Sequence, residues 1–219
     1  MIEVRRPLGL IGRVILTAGA LLLTAASFAE AAPATIFGAV EIRHDGIKPF
    51  PKWIGALAKY EQEKIRYATQ CLVTRFSPCH WKEWHDLLDR LRGQPRATQL
   101  DAVNRYMNRQ PYVLDMVNWG VPDYWESPGE FFLRNGNCHD YAIAKYLSLR
   151  LLGWNKEDLR IVALNDLNLR VGHAVLVVIE GDHAVVLDNQ VSQVVEATSI
   201  HHYQPIYAVN EDAWWLYRH

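Results

Sequence analysis

Apolar positions recur with a helical period through the first two-thirds of the chain. In WIGALAKYEQEKIRYATQCL (53–72), Ile54, Leu57, Ala58, Ile65 and Cys71 follow a spacing near 3.6 residues. WKEWHDLLDRLRG (81–93) predicts a second helix ending at Gly93. ATQLDAVNRYMNRQ (97–110) predicts a third, with Leu100, Val103 and Met107 on one face and Pro111 beyond its end. The stretch 115–137 reads as loop-rich, and a further helix runs from Cys138 to Leu152, with Gly153 as its stop. Thereafter the period shortens. LRIVAL, HAVLVVI, AVVLDNQ and PIYAVN are short runs rich in β-branched residues, separated by turn signals at Asn165-Asp166 and Gly181-Asp182. Helices first and an antiparallel sheet after predict an α+β fold. Ahead of them, 33–53 is rich in Pro and Gly and reads as an extended leading segment. No repeat, low-complexity tract or second-domain linker interrupts the pattern.

Composition adds bounds. The chain has 219 residues, 50% hydrophobic and 21% charged, with a net charge of −1, a globular balance that does not point to nucleic acid. The N-terminus changes the picture more. Arg5, Arg6 and Arg13 flank a short apolar run, VILTAGALLLTAASFA, and small residues at Ala29 and Ala31 offer a cleavage point. Residues 1–31 therefore read as a signal peptide, with an uncleaved membrane anchor as the alternative, and 32–219 as one exported domain. In an oxidising compartment three cysteines leave at least one unpaired. Cys71 and Cys79 are close enough in sequence for a local bridge, which sequence leaves open. Cys138 is then the odd thiol: a small buried hydrophobe or a nucleophile.

The strand pattern bears on that choice. If Gly181-Asp182 is a two-residue turn, Glu180 faces His183, Val175 faces Asp188, and His173 faces Gln190. His173 and Asp188 then become diagonal neighbours on one face, and a one-residue slip separates them. A carboxylate that orients an imidazole produces a poised base. A thiol at a helix N-terminus lies near free N–H groups and the positive dipole end, and a nearby imidazolium favours thiolate further. Cys138 as nucleophile, His173 as base and acid, and Asp188 as orienter form a candidate triad, with the Cys138 N–H available to an oxyanion. His139 is adjacent to the thiol in sequence, but neighbours along a helix do not face each other, so it is set aside as a base. His183 and His201-His202 lack the spacing of a zinc site. Trp119, Tyr124 and Trp125 read equally as packing or as a groove wall.

The stretches DYWESPGEFFLRNGNCHDYAIAKYLSLRLLG, RIVAL, GHAVLVV, VLDNQ and YQPIYAVN resemble the bacterial transglutaminase-like cysteine proteinases, the LapG-like periplasmic proteases of the papain-like clan. VNRYMNRQPYVLD and the WG that follows fit the same pattern, so the likeness runs from about Trp53 to the end. It implies a papain-like α+β fold with the Cys-bearing helix packed on an antiparallel sheet. Cys138, His173 and Asp188 fall on the family triad. It further implies a thiol endopeptidase that processes a surface adhesin in biofilm control, under an inner-membrane cyclic-di-GMP receptor.

One departure concerns metal. The family carries acidic residues on both sides of the nucleophile, where LapG-like members bind calcium. Here Asn137 and His139 stand there, and only Asp140 keeps a carboxylate. Calcium prefers several hard oxygen ligands, so weak or absent binding is expected and no cofactor is required. Two rival functions remain: acyl transfer to an amine by the same triad, and a degenerate member that binds a partner without cleaving it.

Overall fold

The computed structural model describes residues 1, 35–70 and 79–218. The chain divides into two compact units, Met1–Ala31 and Ala32–His219, and the sheet and its helices belong to the second. The N-terminal apolar run and Cys71 lie outside the described residues. Cys79 is disulfide-bonded, and Cys138 is free.

The elements are β1 (Val40–Asp45), α1 (Pro51–Gln70), α2 (His80–Leu91), α3 (Arg96–Met107), α4 (Asp115–Asn118), α5 (Pro128–Arg134), α6 (Cys138–Leu151), β2 (Leu159–Asp166), β3 (Val171–Glu180), β4 (His183–Leu187), β5 (Val195–Glu196), β6 (Tyr203–Val209) and β7 (Ala213–Arg218). This is the expected α+β arrangement, with helices packed on one antiparallel sheet of order β1-β7-β6-β2-β3-β4-β5.

Two features depart from the sequence reading. The leading segment supplies an edge strand, β1, which pairs with β7 from Val40 opposite Arg218 to Asp45 opposite Ala213. Periodicity predicts neither run as a strand. β1 is mostly exposed and lacks a clean alternation, so its pairing is set by β7 rather than by its own pattern. The loop-rich stretch also contains α5, started by a capping box. Ser127 Oγ accepts from the Glu130 N–H at 3.4 Å, and Glu130 accepts from the Ser127 N–H at 3.0 Å.

α6 is the central element. His139 through Leu149 are all buried, which is the signature of a helix covered on every side. β2 and β3 cover one side; α3 and α5 cover another. The sheet carries core on both faces: Leu159, Ile161, Leu176 and Val178 pack with the helices, while Val162, Val175 and Val177 pack with Tyr203, Trp215 and Ile36. Phe131 on α5 meets Tyr141 on α6 edge to face, with ring centres 4.9 Å apart, and fixes the start of α6 laterally.

Phe131 is fully buried. Replacing it with alanine is expected to cost about 3–5 kcal/mol in urea denaturation, and to loosen the start of α6 with it.

Candidate active site

The turn into α6 is shaped by three successive residues. Asn135 ends α5 with φ 65°, a conformation Asn tolerates better than most side chains. At Gly136 a Cβ would lie 2.6 Å from Asp140 Oδ2 and 2.7 Å from its Cβ, so only glycine fits. Asn137 is the N-cap: its side chain accepts from the His139 N–H at 3.3 Å, and Asp140 Oδ2 accepts from the Asn137 N–H at 2.9 Å. The other Asp140 oxygen accepts from the Glu126 N–H at 2.8 Å, so one carboxylate ties the chain before α5 to the start of α6. Cys138 follows at the first helical position and is partly exposed.

The β3–β4 hairpin has the register the turn dictates, from Glu180 opposite His183 to Leu176 opposite Leu187. The strand stops one residue before Asp188, because Asp188 Oδ1 turns to accept the Gln190 N–H at 2.9 Å. That oxygen also meets His173 Nε2 at 3.0 Å, and Oδ2 accepts the Tyr203 hydroxyl at 2.5 Å. His173 and Asp188 are both buried. With Nε2 on the carboxylate, His173 has Nδ1 left for the thiol.

Charge follows geometry. Burial raises the Cys138 pKa, but side-chain interaction with His139 and then His173 outweighs it and brings the thiol down to about 6. Burial lowers the His173 pKa, yet Asp188 and Cys138 carry it up to about 9. Burial works against the Asp188 carboxylate, and its bond to His173 holds it below the usual range. Thiolate and imidazolium therefore coexist between about pH 6 and 9. Two turns along α6, Lys145 is fully buried without a hydrogen-bond partner; burial lowers its pKa to about 7, and Asp188 opposes that.

His139 requires a correction: it does interact with the thiol. Its Nε2 is anchored 2.8 Å from the Tyr124 carbonyl and its ring stacks on Trp125, with centres 5.4 Å apart, which turns the imidazole back over the helix start. Residue spacing along a helix does not capture an anchor from a separate loop. Two further residues at the site carry no sequence signal of their role. One is Tyr203, the second partner of Asp188. The other is Tyr112, whose phenol lies against Cys138 and is pushed up to about 12 by burial and the thiol charge. The parallel bridge of Tyr112 to Gly136 places it there. Of the three aromatics ahead of the nucleophile, Trp125 lines the cleft. Tyr124 stacks on Trp119 and joins Lys59 to Glu130, which is packing.

The cleft over Cys138 holds about 550 Å³, and Tyr112, Leu114, Met116, Ala163, Leu164 and Ile206 give it a mainly apolar wall. Among the described residues, one group brings metal-type ligand atoms within 4.8 Å of one another: Asp115, Asp123 and His139. His183, His201 and His202 belong to no such group.

A model of the bacterial transglutaminase-like cysteine proteinases matches residues 61–216. The chain belongs to this family. It is a cysteine peptidase by that membership, and the fold agrees. Legionella pneumophila LapG is 31% identical with a TM-score of 0.62, the match covering 70% of this chain and 86% of that one. The calcium-bound form of LapG gives 31% and 0.63 over the same shares. Its EGTA-treated form gives 31% and 0.62, over 70% and 84%. No curated protein matches the chain.

Two outcomes are expected. Alkylation of Cys138 by iodoacetamide, followed by mass spectrometry, rises with a midpoint near pH 6, and Asp188→Asn moves that midpoint upward by weakening the imidazolium. Gly136→Ala forces Asp140 off its two N–H partners and lowers stability by about 1–3 kcal/mol in thermal melting.

Proposed function

We propose that the chain is an exported, periplasmic cysteine endopeptidase with Cys138, His173 and Asp188 as its catalytic triad, acting on a cell-surface adhesin or a similar protein in biofilm control. The observation that carries the triad is a partly exposed free thiol lining one cleft with His173, whose Nε2 is held 3.0 Å from a buried carboxylate.

The steps follow from these groups. The Cys138 thiolate attacks the scissile carbonyl carbon and forms a tetrahedral oxyanion. The Cys138 N–H at the helix N-terminus and the Tyr112 hydroxyl are the donors best situated for it. Collapse breaks the C–N bond, and the amine leaves with the proton from His173 Nδ1. Neutral His173 then takes a proton from water, the hydroxide attacks the thioester, and the thiolate and imidazolium are restored. Asp188 holds the ring in the tautomer and orientation this needs, with Tyr203 and the Gln190 N–H keeping the carboxylate in place.

The apolar cleft suits an extended substrate segment with small or apolar side chains at the cut. Family membership favours a protein substrate, and the N-terminal sequence favours a periplasmic site of action. Control by an inner-membrane cyclic-di-GMP receptor rests on the family resemblance alone. A depressed thiol pKa speaks against a member that only binds.

Incubating the protein with large surface proteins of the same cell tests this reading. Discrete fragments are expected with wild type and none with Cys138→Ala. Asp188→Asn should reduce the rate roughly 10²- to 10⁴-fold and Tyr112→Phe roughly 10-fold. Equal fragmentation by wild type and Cys138→Ala would falsify the nucleophile assignment; amine-linked products in place of hydrolysed ends would favour acyl transfer.

A further inference from the structure

A group of carboxylates lies where the 115–126 loop meets the start of α6. Asp115, Glu126 and Asp140 are all buried. Beside them, Asp115, Asp123 and His139 bring ligand-type atoms within 4.8 Å of one another. Such a cluster invites a cation, and the LapG relative is known in a calcium-bound form.

Most of the oxygens here, however, are already committed. Both Asp140 oxygens accept backbone N–H groups, from Glu126 at 2.8 Å and Asn137 at 2.9 Å. Asp115 Oδ2 accepts from the Tyr124 N–H at 2.9 Å. Asp123 is held at the rim by Lys52 at 2.5 Å and by the Trp125 indole N–H at 2.9 Å. The Tyr124 carbonyl, a natural hard ligand, is taken by His139 Nε2 at 2.8 Å. A carbonyl only accepts, so that nitrogen carries a hydrogen. The same nitrogen lies 3.3 Å from Asp140 Oδ1 and 3.6 Å from Asp115 Oδ2. The N–H thus points into the space on which the acceptors converge, and the Trp125 face covers the ring.

Calcium needs six to eight oxygens at about 2.3–2.6 Å and gains little from imidazole. The residues present do not fit the ion: a donor occupies its centre, and Asp115 Oδ1 and Glu126 Oε2 are the carboxylate oxygens in the cluster left without partners.

We propose that His139 takes the place of a divalent cation in this chain. Its ring, with Lys52 at the rim, holds the 115–126 loop against the start of α6 and so positions Cys138 without calcium. His139 is a positioning residue: it acts on the loop and the thiol, not on substrate. Lys52 is the minor partner, because its pair with Asp123 is exposed at both ends and exposed pairs are weak. The activity arm of the test rests on the peptidase reading; the melting and calorimetry arms do not.

The whole protein is melted in EGTA and in millimolar calcium, titrated with calcium chloride by calorimetry, and assayed on its protein substrate in both solutions. Wild type is expected to show the same Tm, no heat of binding at micromolar calcium and equal cleavage rates. His139→Glu, which restores a carboxylate, is expected to melt several degrees lower in EGTA and to recover in calcium but not in magnesium. A merely structural histidine would give no ion-specific recovery. A calcium-dependent Tm or a micromolar site in wild type overturns the proposal, and so does a His139→Glu protein indifferent to calcium. Absence of cleavage in both solutions, with wild-type melting unchanged between them, counts against the peptidase reading and leaves this one standing.

Discussion

The carboxylate of Asp140 is the point from which the site is built. Its two oxygens hold two N–H groups from different parts of the chain, Glu126 ahead of α5 and Asn137 at the start of α6. That double hold brings the loop down onto the helix, excludes any side chain at Gly136 and puts Cys138 on the first turn, at the cleft wall. Hydrogen bonds to the two backbone N–H groups replace part of the hydration that burial removes from this carboxylate. The acid retained from the family pattern is thus engaged in backbone geometry.

The thiol is influenced by two imidazoles of different kinds. His173 comes from the sheet and is oriented by Asp188, whose other oxygen is held by Tyr203. His139 comes from the helix itself and is oriented by a loop carbonyl and an indole face. Burial alone would keep the sulfur protonated, and together the two rings reverse that. His173 has Asp188 Oδ1 hydrogen-bonded at 3.0 Å behind the nitrogen that faces away from sulfur, closer than either carboxylate near His139 Nε2, which suits it to move a proton repeatedly. His139 Nε2 is tied to a carbonyl that cannot take a proton from it.

Legibility in the sequence depends on how local the determining contact is. The His173–Asp188 relation follows from a two-residue turn and a period of two, both written within eighteen consecutive residues. The Cys138 helix is plain from its apolar content and its Gly153 stop. α5 escapes a reading by periodicity although Ser127 and Glu130 carry the spacing of a capping box, because the Pro and Gly between them suggest a loop. β1 is not legible: its residues are mostly exposed, and its strand state exists through β7, nearly the full chain away. His139 misleads for a related reason, since a loop carbonyl sets its ring direction. Tyr203 lies in a recognisable stretch, but its contact depends on a strand order that periodicity does not supply.

That late pairing of β1 has a kinetic side. The edge strand precedes every described helix, yet its strand partner is the last strand of the domain. Contacts between segments so distant along the chain close the largest loop available, and such closure slows folding. The helices and the central hairpin can assemble from near neighbours, whereas the sheet acquires that edge only after β7 has emerged. Until β1 docks, the flank of β7 is an open strand edge, the kind of surface on which a second chain can add.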